Sequence, residues 1–204
     1  MLSQAFFDRP APLVAPELIG KKLVRLQNGK RLAGIITETE AYQGQEDLAC
    51  HAHVGRTKRN EVMFGRAACA YIYFTYGMHW LLNIVTDFPG VPAAVLIRAV
   101  FPTEGLELMA ENRPRLAHSQ KWLNGPAKLT QGLGLSGSLN GQDMLRSESE
   151  LFIEEGILLP ESLIESSPRI GLGKTPEPWL SMPWRWEIGW QEAYNRVNKE
   201  NLQL

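Results

Sequence analysis

CAYIYFTYGMHWLLNIVTDFPGVPAAVLIRAV, residues 69–100, holds three stretches rich in aromatic and β-favouring side chains, at 69–76, 80–87 and 93–100. Tyr76, Gly77, Met78 and His79 separate the first two, as the tip of a hairpin would. On the first strand, Tyr71, Tyr73 and Thr75 are expected on one face and Ile72, Phe74 and Tyr76 on the other. Ile72 and Phe74 read as core. Core packing does not account for Tyr76. A bulky apolar tip is what a protein inserts between DNA base steps, or buries against a protein partner.

Outward from this block the signals remain those of a sheet. Residues 21–27 and 31–38 read as strands joined at Asn28-Gly29, where both turn residues tolerate positive φ. A short helix is expected at 14–19, with Pro16 near its start and Gly20 at its end. Glu46 and Asp47 suit the N-terminus of a helix over 46–53. Residues 104–112 and 119–135 read as helical, and 151–190 as short strands broken by Pro and Gly. The implied fold is α+β: one domain, residues 1–204, on a curved, largely antiparallel sheet with flanking helices and a protruding β-hairpin.

The chain of 204 residues, 44% hydrophobic and 21% charged, has the balance of a soluble globular protein. No apolar run reaches membrane-spanning length, and the first residues lack the order of a secretory signal, so an intracellular protein is expected. Cys50 and Cys69 are too few for a disulfide framework and are read as buried free thiols. The net charge of -1 leaves any nucleic-acid affinity to a local face. Two basic groups offer one: Arg56, Lys58 and Arg59, and Lys21, Lys22 and Arg25.

ETEAYQGQED at 38–47 is unusual for a strand end. Glu38 and Glu40 lie two apart, so on a strand both face the same side. A carboxylate pair suits acid/base work or metal binding, and His51 and His53 follow closely. No second ligand cluster has the spacing of a closed zinc site, and no metal or other cofactor is expected. A metal-dependent hydrolase using Glu38, Glu40, His51 and His53 is one alternative. A non-catalytic, lesion-sensing DNA-binding protein is another.

ETEAY at 38–42, ED at 46–47 with His51, RN..MF at 59–64, YxYxxYGMxxxxNI at 71–84, VLIRA at 95–99 and NGPAKL at 124–129 occur in order. Together with the start at 5–25 and RIGLG at 169–173, they resemble the 3-methyladenine (alkyladenine) DNA glycosylase family over about residues 5–190. Two departures are visible: His79 stands where the family pattern has an aromatic, and HVGRTKRN at 53–60 is one residue shorter.

The resemblance implies a monofunctional base-excision enzyme without a cofactor. It would act as a monomer on double-stranded DNA with damaged purines, in the cytoplasm and nucleoid or in a nucleus. Alkylated or deaminated purines of the 3-methyladenine, 7-methylguanine and hypoxanthine type would be flipped out and cut from their sugar, leaving an abasic site. Glu40 is implied as the carboxylate that activates water, Arg98 as the arginine beside it, and the carbonyl of Ile170 as a further water contact. Tyr42, His51 and Tyr73 are implied as walls for the base, and Asn83 as the side chain that disfavours guanine. Tyr76 is implied as the intercalating residue, with Met78 beside it.

Overall fold

The computed structural model describes residues 2–114 and 122–201. Its centre is β2 (Lys30–Gln43), a 14-residue strand that runs through the ETEAY segment. β1 (Lys22–Gln27) reaches β2 through Asn28 and Gly29, with φ of 52° and 72°, and Gln27 pairs with Lys30. That is the backbone such a two-residue turn requires. β3 (Ala70–Thr75), β4 (His79–Val85) and β5 (Ala93–Glu104) form a meander that pairs with β2 along β5. β6 (Leu151–Glu154) flanks β1. β7 (Glu165–Ser167) pairs with β8 (Arg185–Glu187), which pairs with residues 38–40 of β2. Every ladder among the described residues is antiparallel.

The β2–β5 ladder is interrupted three times. Glu38 faces Ala99 and Thr39 faces Ile97, so Arg98 falls outside the one-to-one register. A bulge of this kind bends a strand and re-aims a side chain. Gly34 sits at another interruption, where a Cβ would meet the Phe101 carbonyl oxygen at 2.8 Å.

Helices cover the sheet. α1 (Gln4–Phe7) precedes α2 (Ala11–Leu18), which starts earlier than the expected 14–19 because Pro12 falls in the first turn. There a missing N–H removes no helical bond. α2 buries Ala11, Val14, Ala15 and Leu18, and Thr39 Oγ1 on β2 donates to the Ala15 carbonyl at 2.9 Å. α3 (Leu106–Asn112) lies within the expected 104–112, the first two positions of which belong to β5 and its turn. α4 (Pro126–Gly132) is shorter than the expected 119–135. Residues 122–125 are not helical, and 119–121 lie outside the described residues. Gly125 at φ 135° and Pro126 set its start. α4 braces the hairpin: Thr130 Oγ1 donates to the Trp80 carbonyl at 2.7 Å. α5 (Trp190–Asn201), unexpected from the sequence, packs Trp190 on Phe101 with ring centroids 4.8 Å apart.

The helix expected over 46–53 is absent. The segment is turns followed by a single 3-10 turn at His51–Val54. Asp47 accepts the Gln43 and Ala49 backbone N–H groups, closing a turn with the side chain that would have capped a helix. Cys50 is a buried free thiol, pushed up to about 12 by burial. Cys69, expected to be buried, is only half-buried and forms a β-bridge with Asp143 just before β3. No helix among the described residues is long and apolar enough to cross a membrane.

Candidate active site

A cavity of about 370 Å3 opens between β3, the end of β2, the 48–51 segment and residues 170–175. Its size falls within the ~300–1,000 Å3 of small-ligand pockets. Tyr42, His51, Tyr73, Asn83, Arg98 and Ile170 all line it, so six side chains or backbone positions singled out from sequence meet at one place.

Glu40 lies behind this wall, fully buried. Its Oε2 accepts the Tyr42 hydroxyl at 2.8 Å, and its Oε1 accepts the Ile170 N–H at 2.7 Å. Arg98 Nη1 approaches Oε1 at 3.2 Å. The contact between Ile170 and Glu40 thus runs through the Ile170 N–H. Glu38 and Glu40 do share a side, since Arg98 also donates from Nε to Glu38 Oε1 at 2.7 Å. Arg185 on β8 donates to the same Glu38 oxygen at 2.6 Å. Burial works against the Arg98 charge, yet the Glu40 and Glu38 carboxylates raise it above an ordinary arginine. Burial, and then the Glu40 carboxylate, pushes the Tyr42 hydroxyl well up, so it stays protonated and donates.

The opposite wall is aromatic. His51 Nδ1 lies 2.9 Å from the Tyr71 hydroxyl, and its ring meets Tyr73 edge-on at 4.5 Å. Burial, then Arg59 and His53, lowers His51 to about 4, which leaves the imidazole neutral at pH 7. Burial likewise pushes the Tyr73 hydroxyl up to about 12. Asn83 is buried on β4 opposite Tyr71 and donates to the Tyr71 carbonyl at 3.1 Å. Glu38, Glu40, His51 and His53 do not gather as ligands. His53 is exposed with Nδ1 on the Cys50 carbonyl, and no group of three or more His, Cys, Asp or Glu among the described residues is placed to hold a metal ion.

The hairpin departs from simple alternation at two points. Phe74, read as core, is 45% exposed and packs on Trp80. Tyr76, read as sharing the Ile72 face, lines the cavity mouth. Tyr76 and Gly77 have φ of 52° and 67°, and the Met78 N–H closes the turn on the Thr75 carbonyl. This turn swings Tyr76 off the strand's pleat. Tyr76 and Met78 are 84% and 65% exposed.

The two basic groups differ. Lys21, Lys22 and Arg25 are each paired, with Glu155, Glu104 and Glu150. Arg56, Lys58 and Arg59 have no acidic partner among the described residues. Arg59 lies over the Tyr73 ring, 5.2 Å from its centroid, beside the cavity wall.

Sequence reading missed Arg169 as a site element, although it begins the quoted RIGLG stretch. Arg169 forms a fork with Asp47, Nη1 to Oδ2 at 2.6 Å and Nη2 to Oδ1 at 2.9 Å. In the sequence Asp47 reads only as an acid suited to a helix N-terminus and as one of the ED pair before His51.

The model of the family described as methylpurine-DNA glycosylase matches residues 5–191. A protein of Methanocella arvoryzae is 45% identical over 185 residues, covering 91% of this chain and 90% of its own. Relatives from Prosthecochloris aestuarii and Carboxydothermus hydrogenoformans are each 46% identical, over 84% of this chain and 82% and 88% of theirs. All three carry the provisional name 3-methyladenine DNA glycosylase.

Proposed function

The chain belongs to the methylpurine-DNA glycosylase family, and from that premise we propose that it flips alkylated or deaminated purines out of duplex DNA and hydrolyses their N-glycosidic bond with water activated by Glu40. The activity is that of a DNA-3-methyladenine glycosylase. The observation that carries the mechanism is the buried Glu40 carboxylate whose three partners, Tyr42, Arg98 and Ile170, all line the cavity.

Water cannot reach the sugar C1′ in line while the base is stacked, so the nucleotide rotates out at a cost of a few kcal/mol. Tyr76 enters the gap, with Met78 beside it, and stacking returns roughly 1–3 kcal/mol. The base lies between Tyr42 and the His51–Tyr73 wall. With the Tyr71 hydroxyl donating to Nδ1, neutral His51 carries its proton on Nε2, a donor for an acceptor atom of the base. Asn83 excludes the guanine 2-amino group.

Departure of the base develops positive charge on the sugar, as in other glycoside hydrolyses. A carboxylate offers about four lone-pair positions. Three of Glu40's face Tyr42, Ile170 and Arg98, and the fourth takes a proton from the attacking water. The same anion balances the sugar charge. A 3- or 7-methylpurine is already cationic and leaves without protonation. With water as nucleophile the product is an abasic site in an unbroken strand, made by a monomer in the cytoplasm and nucleoid or a nucleus.

The test is base release, read by mass spectrometry, from a panel of lesion duplexes. Free methylpurine and hypoxanthine are expected, with no protein–DNA adduct on borohydride treatment. Lesion binding without release of any base sinks the catalytic reading. In the same panel Asn83→Ser should raise release of guanine-type bases by roughly tenfold while duplex affinity stays unchanged, since room for one small group in a pocket is worth about 1–3 kcal/mol.

A further inference from the structure

We propose that Arg169, locked by Asp47, is the positioning residue that aligns Glu40 and the base-facing wall; the inference rests on the reading of Glu40 given above. Both side chains of this ion pair are fully buried. Such a pair contributes little to stability, because desolvation offsets the attraction, and similar-sized apolar residues often do as well or better. Arg169 Nε is itself buried without a hydrogen-bond partner. The attraction between the two charges therefore does not by itself explain the pair.

Its contacts explain it better. Arg169 immediately precedes Ile170, whose N–H bonds Glu40 Oε1 at 2.7 Å. The same Nη1 that reaches Asp47 donates to the carbonyl of Ala41, between Glu40 and Tyr42, at 2.9 Å. The guanidinium lies over the Tyr42 ring, 4.8 Å from its centroid, and over the Trp184 ring at 5.2 Å. Asp47 in turn accepts the N–H groups of Gln43 and Ala49, and its carbonyl accepts the Cys50 N–H. The pair thus ties together the end of β2, the segment leading to His51 and the strip carrying Ile170. A planar fork with fixed donors suits this task, and a lysine point charge does not. A displacement of about 1 Å in a reacting group can cost 10²-fold in rate. The arrangement sets the rate of the bond-breaking step, with duplex binding left to the hairpin and the surface cations.

The experiment compares wild type, Glu40→Gln, the double variant Asp47→Leu/Arg169→Met, and Arg169→Lys on one methylpurine duplex. It measures thermal unfolding, duplex affinity and the maximal single-turnover rate. The expected result for the double variant is a lowered Tm, since the Ala41 and Trp179 carbonyls and the Gln43 and Ala49 N–H groups lose their partners, with affinity within about threefold and a maximal rate lowered by about 10²-fold. Arg169→Lys, which keeps the charge but not the fork, should fail to restore the rate. A folded double variant or an Arg169→Lys protein with wild-type maximal rate overturns the proposal. Should the double variant not fold, Arg169→Lys decides alone. Should wild type release no base, or Glu40→Gln match it, the reading of Glu40 falls and the clamp falls with it. A dead Glu40→Gln beside a fully active double variant sinks the clamp only.

Discussion

Tyr76 and Tyr42 line the same cavity and are held in opposite ways. Tyr76 is 84% exposed, makes no hydrogen bond among the described residues, and occupies a positive-φ position at the hairpin tip. That backbone region costs a bulky residue of order 1–3 kcal/mol and recurs where function demands it. Tyr42 gives its hydroxyl to Glu40 and its ring face to Arg169. On the proposed reading, the tip meets the duplex, and the floor, Tyr42 with Glu40, acts without moving. Preorganised charge is most effective where water and motion are excluded, whereas a wedge has to be free of partners before it reaches the duplex.

The contrast is broken most sharply by Glu40→Gln. The substitution keeps the shape and removes the anion, and excision should fall by about 10²-fold or more while lesion-duplex binding persists. Single-turnover rates within a few-fold of wild type would contradict the assignment of the floor. Tyr76→Ser comes next. It should lower the flipped population by roughly tenfold for each 1.4 kcal/mol of stacking lost, and less for a lesion opposite a mismatch, where unpairing is cheaper. Fluorescence of a base analogue beside the lesion would follow flipping directly. A changed base preference without a change in flipping would reverse wedge and floor.

Smaller effects sharpen the comparison at its edges. Arg59→Ala removes a cation with no acidic partner among the described residues, beside the cavity, and the slope of log affinity against log salt should shrink by about 1. Lys21→Ala, whose cation is already paired with Glu155, should leave the slope unchanged. Equal slopes for the two variants would mean that the basic face lies elsewhere. The smallest effect concerns stability. His51 is lowered from 6.5 to about 4 in the folded chain. Between those values the unfolded chain binds its proton and the folded chain does not, so stability falls as pH drops from 6.5 to 4 and is level above 6.5. Urea unfolding over this range should be flatter for His51→Asn, and an unchanged pH dependence would remove His51 as a cause.

Local chemistry made much of this molecule legible in advance. The Asn28-Gly29 turn, the aromatic runs of β3 and the two-residue spacing of Glu38 and Glu40 all act over a few residues, so the amino-acid order carries them. The hairpin tip was also visible, although its positive-φ turn moved Tyr76 to the cavity side. Expectations failed where a long-range contact outbid a local preference. Asp47, a fair helix cap by type, closes a turn and holds Arg169. Lys21, Lys22 and Arg25, cationic by sequence, are quenched by acids brought from strands and turns far along the chain.

By itself the sequence determined the strand pattern, the family and the residue types gathered at the cavity. Only the tertiary structure decided how Glu40 is held. Its Ile170 partner lies 130 positions away, and the Asp47–Arg169 fork spans 122. No periodicity or spacing encodes such a pairing, because it depends on how the segment between β7 and β8 lies against the end of β2. That placement follows from burying the sheet as a whole, and a charge is positioned by its neighbours in space.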